Sequence, residues 1–172
     1  MTEAEIIIDN LTKRFEDVTA VDGLCLNIAR AELFGLLGPN GAGKTTTINM
    51  LITILRPTEG SAVVCNHDIM KDANGVRDCI GVVPQEYTAD EDLTGLENVI
   101  LCADLYGIPR DESKKRAEEL LQLVELTKFQ GKQVATYSGG MRRRLELACG
   151  LINRPHVFFL DEPTLGLDVQ TR

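Results

Sequence analysis

The stretch "GLLGPNGAGKTTT" sets Gly38, Gly43, Lys44 and Thr45 at the spacing G-x-x-x-x-G-K-[ST]. These residue types at this spacing suit a bound chain of phosphates. Glycines let the backbone fold tightly enough for successive N–H groups to converge on phosphate oxygens, and the helix that follows adds the positive end of its dipole. Pro39, Asn40, Gly41 and Ala42 complete the loop and Thr46 continues into the helix. Lys44 is then placed to bridge the outer phosphates, and the Thr45 hydroxyl to sit on Mg²⁺. At ordinary residue frequencies the four fixed positions arise by chance in about one chain of this length in two hundred, so a plain Gly-rich turn is a weak rival.

Two further groups belong to the same chemistry. "HVFFLDE" is an apolar run ending in Asp161 and Glu162. A phosphate loop needs a second strand carrying an Asp for the Mg²⁺ shell, which gives Asp161 that role and leaves Glu162 to polarise or deprotonate the attacking water. In "TYSGGMRRRLELACGLINRP", Ser138, Gly139 and Gly140 open a helix whose Met141, Leu145, Ala148 and Ile152 share one face. A Ser hydroxyl and bare N–H groups at its start make a second anion site. Two such cradles have a use if two chains pair and each helix end caps the nucleotide held in the other's loop.

The elements that must position these groups alternate. Short runs rich in Val, Ile and Leu ("EIIID", "LFGLLG", "SAVVC", "CIGVV", "VFFLD") are separated by segments of helical period. That is the pattern of an α/β protein on a largely parallel sheet, and it makes Leu33 to Leu37 a buried strand feeding the phosphate loop. Thr94 and Glu97 form a T-x-x-E capping box ahead of a helix that runs through Leu105, with Gly107 and Pro109 as its stop. In "DESKKRAEELLQLVEL" the residues Ala117, Leu120, Leu121 and Val124 fall on one helical face. No linker sets these helices apart, so they read as a subdomain inserted into one α/β unit.

Composition narrows the partners. At 172 residues the chain is long enough for one domain with a substantial core. A formal charge of -8 repels phosphate backbones and anionic lipid, so no nucleic-acid partner is expected, and an anion site must be built locally. The five cysteines are odd in number and form no C-x-x-C pair, which reads as reduced, mostly buried thiols and not a metal site. No apolar run approaches the ~18 residues that span a bilayer. Arg142, Arg143 and Arg144, three cations on one helical turn of an acidic chain, read as a solvated face.

Taken in order, "GPNGAGKTT", "VVPQE", "YSGGM", "FLDEP" and "TLGLD" resemble the ATP-binding subunits of ABC transporters, from about Ile6 to the last residue. Within that family the likeness is closest to the daunorubicin-resistance-type exporter ATPases. The resemblance implies a P-loop fold: a RecA-like parallel-sheet core, N-terminal antiparallel strands and a helical insertion over about residues 86–150. It implies ATP and Mg²⁺ as cofactors and ATP hydrolysis coupled to export of a drug-, lipid- or polysaccharide-like substrate. Phe15 would stack on adenine, Gln85 would touch Mg²⁺ and link the site to the membrane subunit, and Ser138 to Gly140 would bind the γ-phosphate held by the partner chain. Asp168 would lie at the interface of a homodimer or of paired ATP-binding subunits. The implied location is cytoplasmic, peripheral on the inner face of the membrane through a separate transmembrane permease.

Some residues depart from the family pattern. Ala31 stands where the family usually has Gly, at a cost of about 1–2 kcal/mol if the turn needs positive φ. Tyr137 and Met141 replace the commoner Leu and Gln of the signature. The region that carries the family's switch histidine is missing, and neither His67 nor His156 matches it. The expectation is therefore a truncated chain that binds nucleotide more readily than it turns it over. The alternatives are an ABC ATPase acting on nucleic acid or the ribosome, disfavoured by the acidic balance and by the lack of a coiled-coil insertion, and a remnant that binds ATP without turnover.

Overall fold

The computed structural model describes residues 4–161, and the chain divides into two compact units, Met1–Ile80 and Gly81–Arg172. In the first unit, β1 (Ala4–Phe15) and β2 (Val18–Ala29) form a long antiparallel hairpin that closes at the pair Phe15 and Val18. β3 (Glu59–Val64) pairs antiparallel with the other edge of β1, and β4 (His67–Asp68) completes a sheet of order β2-β1-β3-β4. The period-two pattern of "EIIID" puts Ile6 and Ile8 inside, where they join Leu11, Ala62 and Val64. The unit also holds α1 (Lys44–Leu51) and α2 (Ala73–Cys79), the latter capped by the Asp72 side chain, which accepts the Gly75 N–H at 3.1 Å.

The second unit is helical between two strands that form a parallel pair, β5 (Ile80–Val83), which begins at the boundary, and β6 (Val157–Leu160). α3 (Gly95–Leu105), α4 (Arg110–Leu123) and α5 (Gly139–Gly150) pack around one apolar cluster that includes Val99, Ala117, Leu121, Leu145 and Ile152. The capping box is present: the Thr94 hydroxyl accepts the Glu97 N–H at 3.2 Å, and Glu97 accepts the Thr94 N–H at 2.8 Å. Gly107, at φ +68°, ends that helix.

The run Leu33 to Leu37 corrects the sequence reading. It is not a strand: residues 33–39 pair with no described strand, and Leu33 and Leu37 are 100% and 93% exposed. An apolar run becomes a buried strand only where a neighbour supplies both a ladder and a cover, and the two described sheets, which contain β1 to β6, do not include it. The Ala31 expectation holds, since Ala31 sits at φ +59°. All five cysteines are free thiols, but Cys25 is exposed and the other four are only half-buried.

Candidate functional site

The phosphate loop lies in the first unit. Gly41 and Gly43 both adopt φ +83°, the left-handed conformation that glycine takes without steric cost. Gly43 is required for a second reason, because a Cβ there would lie 2.3 Å from the Ala20 carbonyl oxygen of β2 and 3.1 Å from a methyl of Val21. The loop therefore rests against the strand that pairs with the end of β1, where Phe15 is 44% exposed and Lys13 Nζ lies 5.0 Å from its ring centre. Lys44 turns back into the loop and donates to the carbonyls of Gly38 at 2.8 Å and Pro39 at 2.9 Å. The Ala42 N–H donates to the Pro39 carbonyl at 3.2 Å, closing the turn.

Gly43 is the N-cap of α1 and offers no side chain to the helix. Helix geometry leaves the first N–H groups of α1, at Lys44, Thr45 and Thr46, without an intrahelical acceptor. The first closed turn is that of Thr47, whose N–H and hydroxyl both donate to the Gly43 carbonyl, at 2.8 and 2.9 Å. The result is an ammonium group held by loop carbonyls beside the open N–H groups of the helix start, a set of donors chemically suited to a polyanion.

The other candidate residues lie in the second unit, around α5. Ser138 is its N-cap, and the hydroxyl oxygen accepts the Met141 N–H at 3.3 Å, so the oxygen faces its own helix and the O–H proton is left to donate. Ser138 and Gly139 are exposed. Gln85, just past β5, is exposed as well, in the segment from Pro84 to Ala89. Asp161 follows β6, is 8% exposed, and its N–H donates to the Val83 carbonyl of β5 at 3.1 Å. That bond fixes the end of β6 beside the end of β5, so Gln85 and Asp161 leave neighbouring strands. Glu162 and Asp168 lie outside the described residues.

Two buried charges on α5 organise these groups, and one of them corrects the reading of the arginines. Arg143 is 4% exposed, not solvated: it donates to the Pro84 carbonyl at 2.6 Å and to the Asp161 carbonyl at 3.3 Å. Glu146, 3% exposed, accepts the Thr88 N–H at 2.6 Å, the Thr88 hydroxyl at 2.8 Å and the Ala89 N–H at 2.8 Å. Arg142 and Arg144 pair with Glu91 and Glu125. Sequence reasoning missed Glu146, Thr88 and the burial of Arg143. The signal was there: Glu146 stands inside "LELACGL", an apolar stretch in which a lone carboxylate has to find donors.

Tyr137, one of the signature departures, is a core residue. Its hydroxyl donates to the Phe129 carbonyl at 2.9 Å, and burial pushes its pKa above the ordinary tyrosine value. A Cβ on Gly95 would lie 2.3 Å from that hydroxyl, so α3 starts with glycine where the ring passes. Among the described residues no cluster of His, Cys, Asp and Glu could hold a metal, and no helix is long and apolar enough to cross a membrane. The oxygen donors offered for Mg²⁺, a hydroxyl, an amide and a carboxylate, are all hard ligands of the kind that ion takes.

Comparison with known proteins bears on these features. The family model described as "ABC transporter" matches residues 21–165. The chain is 46% identical over 172 residues to the daunorubicin resistance ATP-binding protein DrrA3 of Streptomyces coeruleorubidus, covering 100% of this chain and 54% of that protein. It is 42% identical over 169 residues to the doxorubicin resistance ATP-binding protein DrrA of Mycobacterium tuberculosis, covering 97% and 51%. The chain thus spans about half the length of the curated relatives it matches. Among solved structures, an ATP-binding cassette dimer in a post-hydrolysis state bound to ADP and Pi superposes with a TM-score of 0.84 at 31% identity, covering 96% of this chain and 77% of that one. The structure of cbiO1 from Clostridium perfringens gives 0.86 at 30% identity, covering 96% and 68%. With the phosphate loop, the Ser-capped helix and the Asp-tipped strand all present, the chain belongs to the ABC transporter family.

Proposed function

We propose that this chain binds ATP with Mg²⁺ and forms the ATP-hydrolysing part of an exporter whose membrane path is a separate permease. The observation that carries the reading is the phosphate loop, in which the Gly38 and Pro39 carbonyls hold the Lys44 ammonium beside the open N–H groups at the uncapped start of α1. Residues 38–46 take the phosphates, and the exposed ring of Phe15 stacks on the base. Thr45, Gln85 and Asp161 would hold Mg²⁺, which supplies charge neutralisation at the outer phosphates when bound. Glu162 polarises the attacking water. The Ser138–Gly140 end of α5 takes the γ-phosphate of a nucleotide held by a second copy or a paired subunit. Export of drug-like molecules follows from relatives named for daunorubicin and doxorubicin resistance.

Titration of the 172-residue chain with a fluorescent ATP analogue tests the first step. Saturable, Mg²⁺-dependent binding that ATP displaces and that Lys44→Ala weakens by about tenfold or more supports the reading. An affinity unchanged by the loss of Lys44 defeats it.

A further inference from the structure

α5 carries two buried charges, and neither bonds to a side chain of opposite charge. Arg143 spends its guanidinium on two backbone carbonyls, those of Pro84 and Asp161, and Glu146 spends its carboxylate on the N–H groups of Thr88 and Ala89 and on the Thr88 hydroxyl. Burying a full charge against backbone is costly, and an apolar pair of the same size would pack this helix at less cost. What the charges provide is position. Arg143 grips the segment immediately before Gln85 and Glu146 grips it three and four residues after, while the same guanidinium holds the carbonyl of Asp161. At the start of α5, Tyr87 in the middle of that segment donates its hydroxyl to the Gly139 carbonyl at 3.3 Å.

We propose that Arg143 and Glu146 are positioning residues that fix Gln85, Asp161 and the Ser138–Gly140 helix start in one rigid frame, so that a phosphate taken at the start of α5 is felt at Gln85 and Asp161. The functional half of this statement rests on the ATP reading above; the mechanical half does not. Because α5 is continuous from Gly139 to Gly150, the frame has no hinge between its phosphate end and its two grips. Arg142 and Arg144, which pair with Glu91 and Glu125 and donate to the carbonyls of Ala135, Tyr137 and Val124, make neither of these grips.

Amide hydrogen exchange on the 172-residue chain tests the frame directly. In the wild type, the Thr88 and Ala89 amides should exchange slowly. Glu146→Gln keeps the shape but removes the charge from the one oxygen that accepts both N–H groups, leaving a weaker neutral acceptor, and should speed both by about tenfold or more. The acceleration should spread to Glu86, Tyr87 and Gly139 while Ala117 and Leu121 in α4 stay protected, which shows that the helical core is intact. Fast exchange of Thr88 and Ala89 in the wild type, or acceleration confined to those two amides, overturns the proposal. If Glu146→Gln does not fold, Arg143→Lys, which keeps the charge but not the two-carbonyl grip, should loosen Glu86 and Tyr87 in the same way. A second readout uses ATP. Arg143→Lys should reduce the ratio of affinity in Mg²⁺ to affinity in EDTA by about threefold or more and leave the EDTA value unchanged, and an unchanged ratio overturns the link to the metal ligands. A wild-type chain that binds no ATP at all defeats the ATP reading, and the exchange pattern then decides the frame alone.

Discussion

The starts of α1 and α5 are both candidate phosphate sites, and they are built in different ways. At α1 the cap is Gly43, which has no side chain to offer, and the cation that complements the donors is Lys44, folded into the loop. At α5 the cap is Ser138, which satisfies one donor of its own helix, and no lysine is present. The cations of α5 lie further along the helix and face the Gln85 segment and surface carboxylates. The start of α3 is a useful third case, since Thr94 and Glu97 satisfy each other's backbone and place a carboxylate at the helix end. A closed and acidic start such as that has nothing to give an anion. The contrast teaches that a phosphate grip for one chain is made where glycine leaves donors open around a built-in charge, whereas α5 presents a partly satisfied end suited to a phosphate already held elsewhere.

Substitutions can break this comparison or sharpen it. The largest effect is expected from Gly43→Ala, which combines a left-handed backbone with a Cβ 2.3 Å from the Ala20 oxygen. Urea unfolding should show a loss of about 3 kcal/mol or more, with nucleotide binding lost as well. Lys44→Ala should weaken ATP binding by about 10–100-fold with little change in unfolding, the worth of a charge-assisted contact. Ser138→Ala should cost about 1 kcal/mol of stability, leave the affinity of one chain for ATP unchanged, and suppress ATP-driven pairing in sedimentation experiments. An ATP affinity that falls as far as with Lys44→Ala would erase the difference between the two helix starts.

Smaller effects follow. Ala31→Gly should stabilise the first unit by about 0.5–1 kcal/mol, because φ +59° strains alanine and not glycine. At α3, hydrogen bonds from the Thr94 N–H and hydroxyl hold the Glu97 carboxyl below the usual carboxylate range. A lowered folded-state pKa means that the cap's contribution is complete above the unfolded value of about 4.3 and is lost as pH falls through the folded value. The stability difference between wild type and Glu97→Gln should therefore shrink toward zero as unfolding is measured at progressively lower pH.

Much of the fold was legible because it rests on local rules. The capping box at Thr94, the glycine stop at Gly107 and the apolar face of α4 all read directly from residue type and spacing. The positive φ at Ala31 was legible too, as a departure from a pattern. Leu33 to Leu37 was misread because an apolar run gives no sign of whether a neighbouring strand will cover it. Arg143 was misread because three arginines in a row look alike, and only packing decides which one turns inward.

The sequence by itself determined the phosphate loop, since its glycines and lysine act through their own backbone and their near neighbours, and it placed the capped starts of α3 and α5, though it gave no sign of α2. Tertiary structure alone decided that Glu146 meets Thr88, 58 positions away, and that Arg143 joins Pro84 to Asp161. Those contacts depend on how α5 lies against β5 and β6. No spacing rule encodes that, because most of the partners of the two charges are backbone groups that every residue carries and only their placement makes them partners.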